Sequence, residues 1–188
     1  GLMVWWLGAR TSIFEPEWAN AALVVIFVML LINGLNLLDN SDGLAASTVA
    51  ITGLGASVIA VLAGQQLVSI LGFTLVGVSL GFLRRNWFPA RVYLGDSGAY
   101  FLATLLAVLI IRMRPESVDQ IRGIAIALLL TLLPFVDTTY VVVRRMRAGI
   151  HPFTAGRDHL SHTLQATGQS VPSSVLILQV VVLVGVLG

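Results

Sequence analysis

The chain has no cysteine and no lysine. Without cysteine, neither a disulfide nor a thiolate metal site can form. Without lysine, lysine-based chemistry such as a Schiff base is excluded, and all eleven basic residues are Arg. Charge of either sign is scarce, at 11% of 188 residues. The sequence also lacks the short alternating segments of a β-barrel and the pattern of a cleavable signal peptide. A pI near 9.7 therefore reflects loop arginines and membrane topology, and no nucleic-acid partner is expected.

What the sequence has is apolar length. Hydrophobic residues make up 57% of it, and the mean hydropathy is +0.93. In lipid, only helices and closed barrels satisfy their own backbone. Six continuous apolar runs, at 18–38, 43–63, 67–83, 97–111, 123–143 and 171–188, predict an all-α, multi-pass transmembrane bundle of about six spans in one integral-membrane domain, 1–188. The piece Leu2 to Ala9 reads as the stub of a further span, which makes the chain the expected C-terminal part of a longer protein. The run at 97–111 is short and draws on Leu94 and Gly95 to complete it. Pro134 and Asp137 predict a kink and an internal polar group in the fifth run. Gly53, Gly55, Gly64, Gly72, Gly77 and Gly81 predict close helix packing.

Arginine counting sets the orientation. The connections at 84–97 and 144–170 hold Arg84, Arg85, Arg91, Arg144, Arg145, Arg147 and Arg157, against Arg10, Arg112, Arg114 and Arg122 in the others. The richer set belongs in the cytoplasm. Glu15, Glu17, Glu116 and Asp119 partly balance the poorer set. Trp5, Trp6 and Trp18 then mark the outer interface and Trp87 the inner one. Helix parity brings three polar clusters to the cytoplasmic face.

The first cluster closes the first full run: Asn33, Asn36, Asp39 and Asp42 recur every three residues, ahead of Gly43-Leu44. If helical, they form one polar stripe at the mouth of a span, where ionisable groups are costly and usually functional. A capped polar helix end is the alternative. The second cluster is Gly95-Asp96-Ser97-Gly98, where flanking glycines let a metal or phosphate approach the backbone, or where Asp96 and Ser97 merely cap the next helix. The third is His151-Pro152-Phe153 through Gly156-Arg157-Asp158-His159 to Ser161-His162, which carries every histidine of the chain. An Arg/His loop suits phosphate oxygens, with a solvated basic loop beside anionic headgroups as the alternative. His159 and His162 could serve zinc only with carboxylates from elsewhere. Hard Asn and Asp oxygens with no soft ligand point to Mg²⁺ or Mn²⁺. Together the clusters point to metal-assisted phosphoryl transfer at the cytoplasmic membrane surface, with one substrate a lipid.

These motifs, with Pro134 and Asp137 leading into Arg144-Arg145, resemble the polyprenyl-phosphate N-acetylhexosamine-1-phosphate transferases over essentially the whole chain. The resemblance is to the C-terminal half of that family. It implies transfer of a sugar-1-phosphate from a UDP-sugar to undecaprenyl or decaprenyl phosphate, releasing UMP, for cell-envelope polysaccharide or peptidoglycan. It implies Asp96 and Asn36 as Mg²⁺ ligands and Asp42 on the nucleoside side of the pocket, with Asp39 a polar member of the same site. Arg157, His159 and His162 match the loop that handles the pyrophosphate or sugar phosphate. Asp137 would either orient that loop's arginines or serve as a buried counter-charge. The family loop often reads Asp-Arg-x-His-x-His-His, whereas here Gly156 stands for the Asp and Ser161 for one His. The family's paired Asp-Asp motif would lie upstream of the residues present. A homodimer is compatible with the resemblance. A secondary transporter and an inactive truncated membrane fragment are the competing readings. Midplane charges and broken helices mark the first. Here the polar groups lie near span ends on one face, with only Asp137 a candidate for deeper burial, which favours an interfacial enzyme.

Overall fold

A backbone amide in hydrocarbon finds its partner within its own segment or not at all, so long apolar runs without breakers become helices. The computed structural model describes residues 2, 15–113, 119–152, 154 and 156–188. Residues 3–14, with Trp5, Trp6 and Arg10, lie outside the described residues, as do Arg114, Glu116 and Phe153. Among the described residues there are eight helices and no strand: α1 Glu17–Leu38, α2 Leu44–Leu62, α3 Gln66–Asn86, α4 Gly95–Arg112, α5 Gln120–Leu130, α6 Leu132–Arg147, α7 Leu160–Ala166 and α8 Val171–Leu187. The first four are each long and apolar enough to cross a membrane. The protein is thus an all-α multi-pass membrane bundle.

The expected count of six spans needs one adjustment. The fifth run is a broken pair, with α5 and α6 bent by 71°. The sixth, α8, is an apolar helix of 17 residues, shorter than any of the first four. The break falls at Thr131, upstream of Pro134. Pro134 has no N–H to give to the carbonyl four residues back, which belongs to Leu130. That orphaned oxygen accepts instead from Oγ1 of Thr52 on α2, at 3.0 Å. The broken geometry is therefore compensated from a neighbouring helix, as a membrane interior requires.

α2 is the hub: it packs against α1, α3, α4, α5 and α8, and 72% of its apolar window is buried, against 22% for α3. α1 presents Val24, Val28, Leu31, Leu35 and Leu38 to the core, a spacing of three and four that makes one helical stripe. This stripe shares its cluster with Leu102, Ala103 and Leu106 of α4, and α1 and α4 pack together.

The glycine expectation divides. A Cβ on Gly72 would collide with the Ser57 side chain, one on Gly185 with the carbonyl oxygen of Leu129, and one on Gly55 would lie 2.6 Å from Val186 Cγ1. These glycines, one of them outside the expected set, allow α2–α3 and α8 contacts at backbone range. Gly77 and Gly81 have nothing within 4 Å of such a Cβ, and Gly64 forms a turn with φ +69. Trp18 is exposed, as an interface residue would be. Trp87 is half-buried and lies against the α1–α2 turn: a Cβ on Gly43, whose φ is +78, would sit 2.9 Å from its ring.

Candidate active site

The polar stripe of the first cluster does not continue as a stripe. α1 ends at Leu38, and Asp39 is its C-cap residue, with its N–H donating to Asn36 O at 3.1 Å. Asn33 turns back on its own helix, donating from Nδ2 to Met29 O at 2.7 Å. It stands outside the site. Asn36 instead donates from Nδ2 to Asp96 Oδ1 at 3.0 Å, and Asp39 Oδ2 accepts the Gly95 N–H at 3.1 Å. Capping does not explain Asp96, since the N-terminus of α4 has no side-chain cap bond. The first two clusters are one site, joined at Asn36, Asp39, Gly95 and Asp96.

Asp42 faces the segment that leads into this site. Its Oδ2 accepts the Ala90 N–H at 2.9 Å. Buried Asn86, at the end of α3, accepts from Gly43 N–H through Oδ1 at 3.2 Å and donates from Nδ2 to Val92 O at 2.9 Å. The α1–α2 turn and the α3–α4 connection are thereby sewn together from both sides. Asp96 gains its placement from that seam.

The third cluster is held by α6. Asp137 is buried, but it does not orient an arginine: its Oδ2 lies 2.8 Å from His159 Nδ1 and its Oδ1 accepts the Leu160 N–H at 2.8 Å. Of the two expectations for Asp137, the contact made is with the loop's histidine and not with its arginines, which leaves the reading of a buried counter-charge standing. Arg145 makes the arginine contact instead, with Asp158. His159 is buried and lies edge-on to His162, with ring centroids 6.3 Å apart. His162 is half-buried, and Arg157 is exposed. The cluster reaches the first one through Ser161, whose Oγ donates to Asn40 Oδ1 at 2.5 Å, and through Gln165, which donates to Ser41 Oγ at 3.3 Å. All three clusters thus meet at one end of the bundle.

Electrostatics separates the two halves of the site. Burial pushes the Asp39 carboxyl up to about 6, against the pull of the Gly95 N–H, and the negative Asp96 and Asp42 push the same way. Burial lowers His162 below the ordinary histidine value, and the positive charge of Arg157 adds to it. Arg145 holds Asp158 below the usual carboxylate range by hydrogen bonding. Among the described residues no arginine or histidine pairs with Asp39, Asp42 or Asp96. The acidic half has mutually repelling carboxylates and hard oxygens, which suits a divalent cation that keeps water and phosphate among its ligands. Asp96, Asn36 and the neighbouring Asp39 could contribute to holding it. Among the described residues no three His, Asp or Glu side chains form a ready ligand group. His159 and His162 therefore have no assembled zinc partners there, and His159 already has Asp137.

Sequence reasoning missed Asn86, the Arg145–Asp158 pair, the Ser161–Asn40 link and Thr52. Asn86 had one signal, a polar residue immediately after Arg84-Arg85 at the end of a span. The others join positions with no sequence relation to one another.

Residues 5–114 match the family described as glycosyl transferase family 4. The chain is 34% identical over 175 residues to a probable undecaprenyl-phosphate N-acetylglucosaminyl 1-phosphate transferase of Bacillus subtilis, covering 91% of this chain and 48% of that one. It is 30% identical over 190 residues to the decaprenyl-phosphate N-acetylglucosaminephosphotransferase of Mycolicibacterium smegmatis, covering 92% of this chain and 47% of the relative. Over 118 residues it is 33% identical to the phospho-N-acetylmuramoyl-pentapeptide-transferase of Parabacteroides distasonis, covering 54% of this chain and 28% of the relative. The chain spans about half the length of the first two relatives.

Proposed function

This chain belongs to glycosyl transferase family 4, and on that premise we propose that the protein it forms transfers N-acetylhexosamine-1-phosphate from a UDP-sugar to a polyprenyl phosphate, releasing UMP. The carrying observation is the contact between Asn36 and Asp96, 60 residues apart, which builds an acidic site beside the Arg157–His162 loop. A donor diphosphate needs cationic or hydrogen-bonding partners on one side and charge neutralisation on the other, and the two halves divide along that line.

In the proposed reaction an oxygen of the lipid phosphate attacks the β-phosphorus of the donor. A new P–O bond forms, the bond to the UMP oxygen breaks, and UMP leaves with the electron pair. Mg²⁺ held by Asp96 and Asn36, with Mn²⁺ able to replace it, would supply Lewis-acid neutralisation of phosphate oxygens. Asp39 lies alongside, and Asp42 is assigned to the nucleoside side. Exposed Arg157 can grip phosphate oxygens with its planar fork. His162, favoured as the neutral ring, can accept a hydrogen bond or a proton there. His159, fixed by Asp137, presents its remaining ring nitrogen from a set orientation. For the lipid, an open groove of about 690 Å³ runs along α6 between Phe135, Val136, Val143 and Tyr140, with Arg144 and Arg147 in its lining. Apolar walls with guanidinium groups among them match a polyprenyl phosphate. The arginine-rich connections support a cytoplasmic exposure of this face at the inner membrane, where UDP-sugars are available.

The test uses the full-length gene product in lipid nanodiscs, with UDP-N-acetylglucosamine, undecaprenyl or decaprenyl phosphate, and Mg²⁺. UMP release that requires both substrates and the metal supports the assignment. Absence of UMP with every UDP-N-acetylhexosamine tried would defeat it, and substrate flux in liposomes without UMP would establish the transporter reading instead.

A further inference from the structure

Arg145, in the last turn of α6, is an arginine with little exposure, 7%. Its Nε donates to Asp158 Oδ2 and its Nη2 to Asp158 Oδ1, both at 2.7 Å, while Nη1 donates to the Pro152 carbonyl at 2.7 Å. Its own carbonyl accepts the Ile150 N–H at 2.9 Å. One residue thus ties Ile150, Pro152 and Asp158, three described points after the end of α6. Eight residues earlier on the same helix face, Asp137 secures His159 and the Leu160 N–H. Asp158 and His159 are consecutive, so two anchors on one face of α6 fix the backbone immediately after Arg157.

Gly156 sits at the tightest point. A Cβ there would lie 2.5 Å from Asp158 Oδ1 and 3.2 Å from Arg145 Nη2. Any side chain at 156 must displace the carboxylate from its two-pronged seat. Arg145 also has its charge committed to Asp158, so it is not available to a phosphate, whereas Arg157 is exposed and has its guanidinium free of any ion pair among the described residues.

We propose that Arg145 and Asp158 are positioning residues for donor binding: their clasp, which requires Gly156, holds the loop so that Arg157 and His159 meet the donor diphosphate. The inference rests on the transferase reading above. It separates two arginines that look alike in sequence: Arg157 touches substrate and Arg145 acts through the loop.

The test uses the full-length protein in nanodiscs with Arg145→Lys, Asp158→Asn, Gly156→Ala and the Arg145→Lys/Asp158→Asn double variant. Each single change is expected to raise KM for the UDP-sugar about tenfold or more, with KM for the polyprenyl phosphate unchanged to within about twofold. The double variant is expected to be no worse than the more severe single one, since one clasp is lost only once. Amide hydrogen exchange over 148–159 is expected to speed up in all four, including the mild Gly156→Ala. An unchanged donor KM, equal losses on both substrates, or multiplying effects in the double variant would overturn the proposal. If the wild-type protein releases no UMP, the transferase reading fails separately, and unaltered exchange in Gly156→Ala then overturns the clasp by itself.

Discussion

Asn36 at the end of one span donates to Asp96 at the start of another across 3.0 Å. The amide and the carboxylate meet because Asp39 and Asp42 each take a backbone N–H from the segment carrying Asp96, those of Gly95 and Ala90. This geometry sets the first expectation. Asp96→Asn in the full-length protein should lower kcat by about 100-fold or more and raise the Mg²⁺ concentration needed for half-maximal activity. Asn36→Ala should do the same more weakly. UMP release measured over a magnesium titration checks both, and unchanged metal dependence in Asp96→Asn would remove Asp96 from the site.

The Leu130 carbonyl orphaned by Pro134 has Thr52 as its partner. Thr52→Val keeps the shape and removes the hydroxyl, at an expected cost of about 1 to 2 kcal/mol. In a Pro134→Ala background the restored N–H can reach that carbonyl, so the same change should cost clearly less. Thermal unfolding of the four proteins in one detergent reads the coupling, and strictly additive losses would contradict it.

Gly43 occupies a left-handed turn, φ +78, with the Trp87 ring where its Cβ would go. Gly43→Ala meets both backbone strain and collision, and should destabilise by about 1 to 3 kcal/mol. Adding Trp87→Leu relieves the collision and leaves the strain, so it should recover only part of the loss. Full recovery would show that the turn tolerates a side chain.

His162 is held below its ordinary value, first by burial and then by Arg157. As pH falls below about 6.5, the unfolded chain takes up a proton that the folded chain resists, so stability should fall with pH down to the depressed folded value. His162→Gln should flatten this part of the profile. Thermal midpoints recorded between about pH 5 and 8 decide the matter, and a slope identical in the variant would assign it elsewhere.

Much of the fold was legible. Apolar run lengths located the long helices to within a few residues at each end, including the early start of α4 at Gly95 and an interruption of the fifth run, but not the short α7. Periodicity misled where a helix stopped: the Asn33–Asp42 repeat suggested one face, but α1 ends at Leu38, so Asn33 falls away while Asp39 and Asp42 turn toward the α3–α4 connection. Glycines were legible as packing residues in general but not individually, since Gly72 meets a neighbour and Gly77, five residues on, meets none.

By itself the sequence determined the solvent, the helices and the end of the bundle where polar chemistry gathers, because hydropathy and arginine asymmetry are properties of segments that act locally. It also supplied the hard-oxygen and Arg/His inventories. Only the tertiary structure decided which members of those inventories touch: that Asn36 reaches Asp96, that Asp137 takes a histidine and leaves the arginine to Asp158, and that Ser161 bonds Asn40. Those pairings depend on angles between helices distant in the chain. A few ångströms of separation decide a hydrogen bond, and no local pattern encodes them.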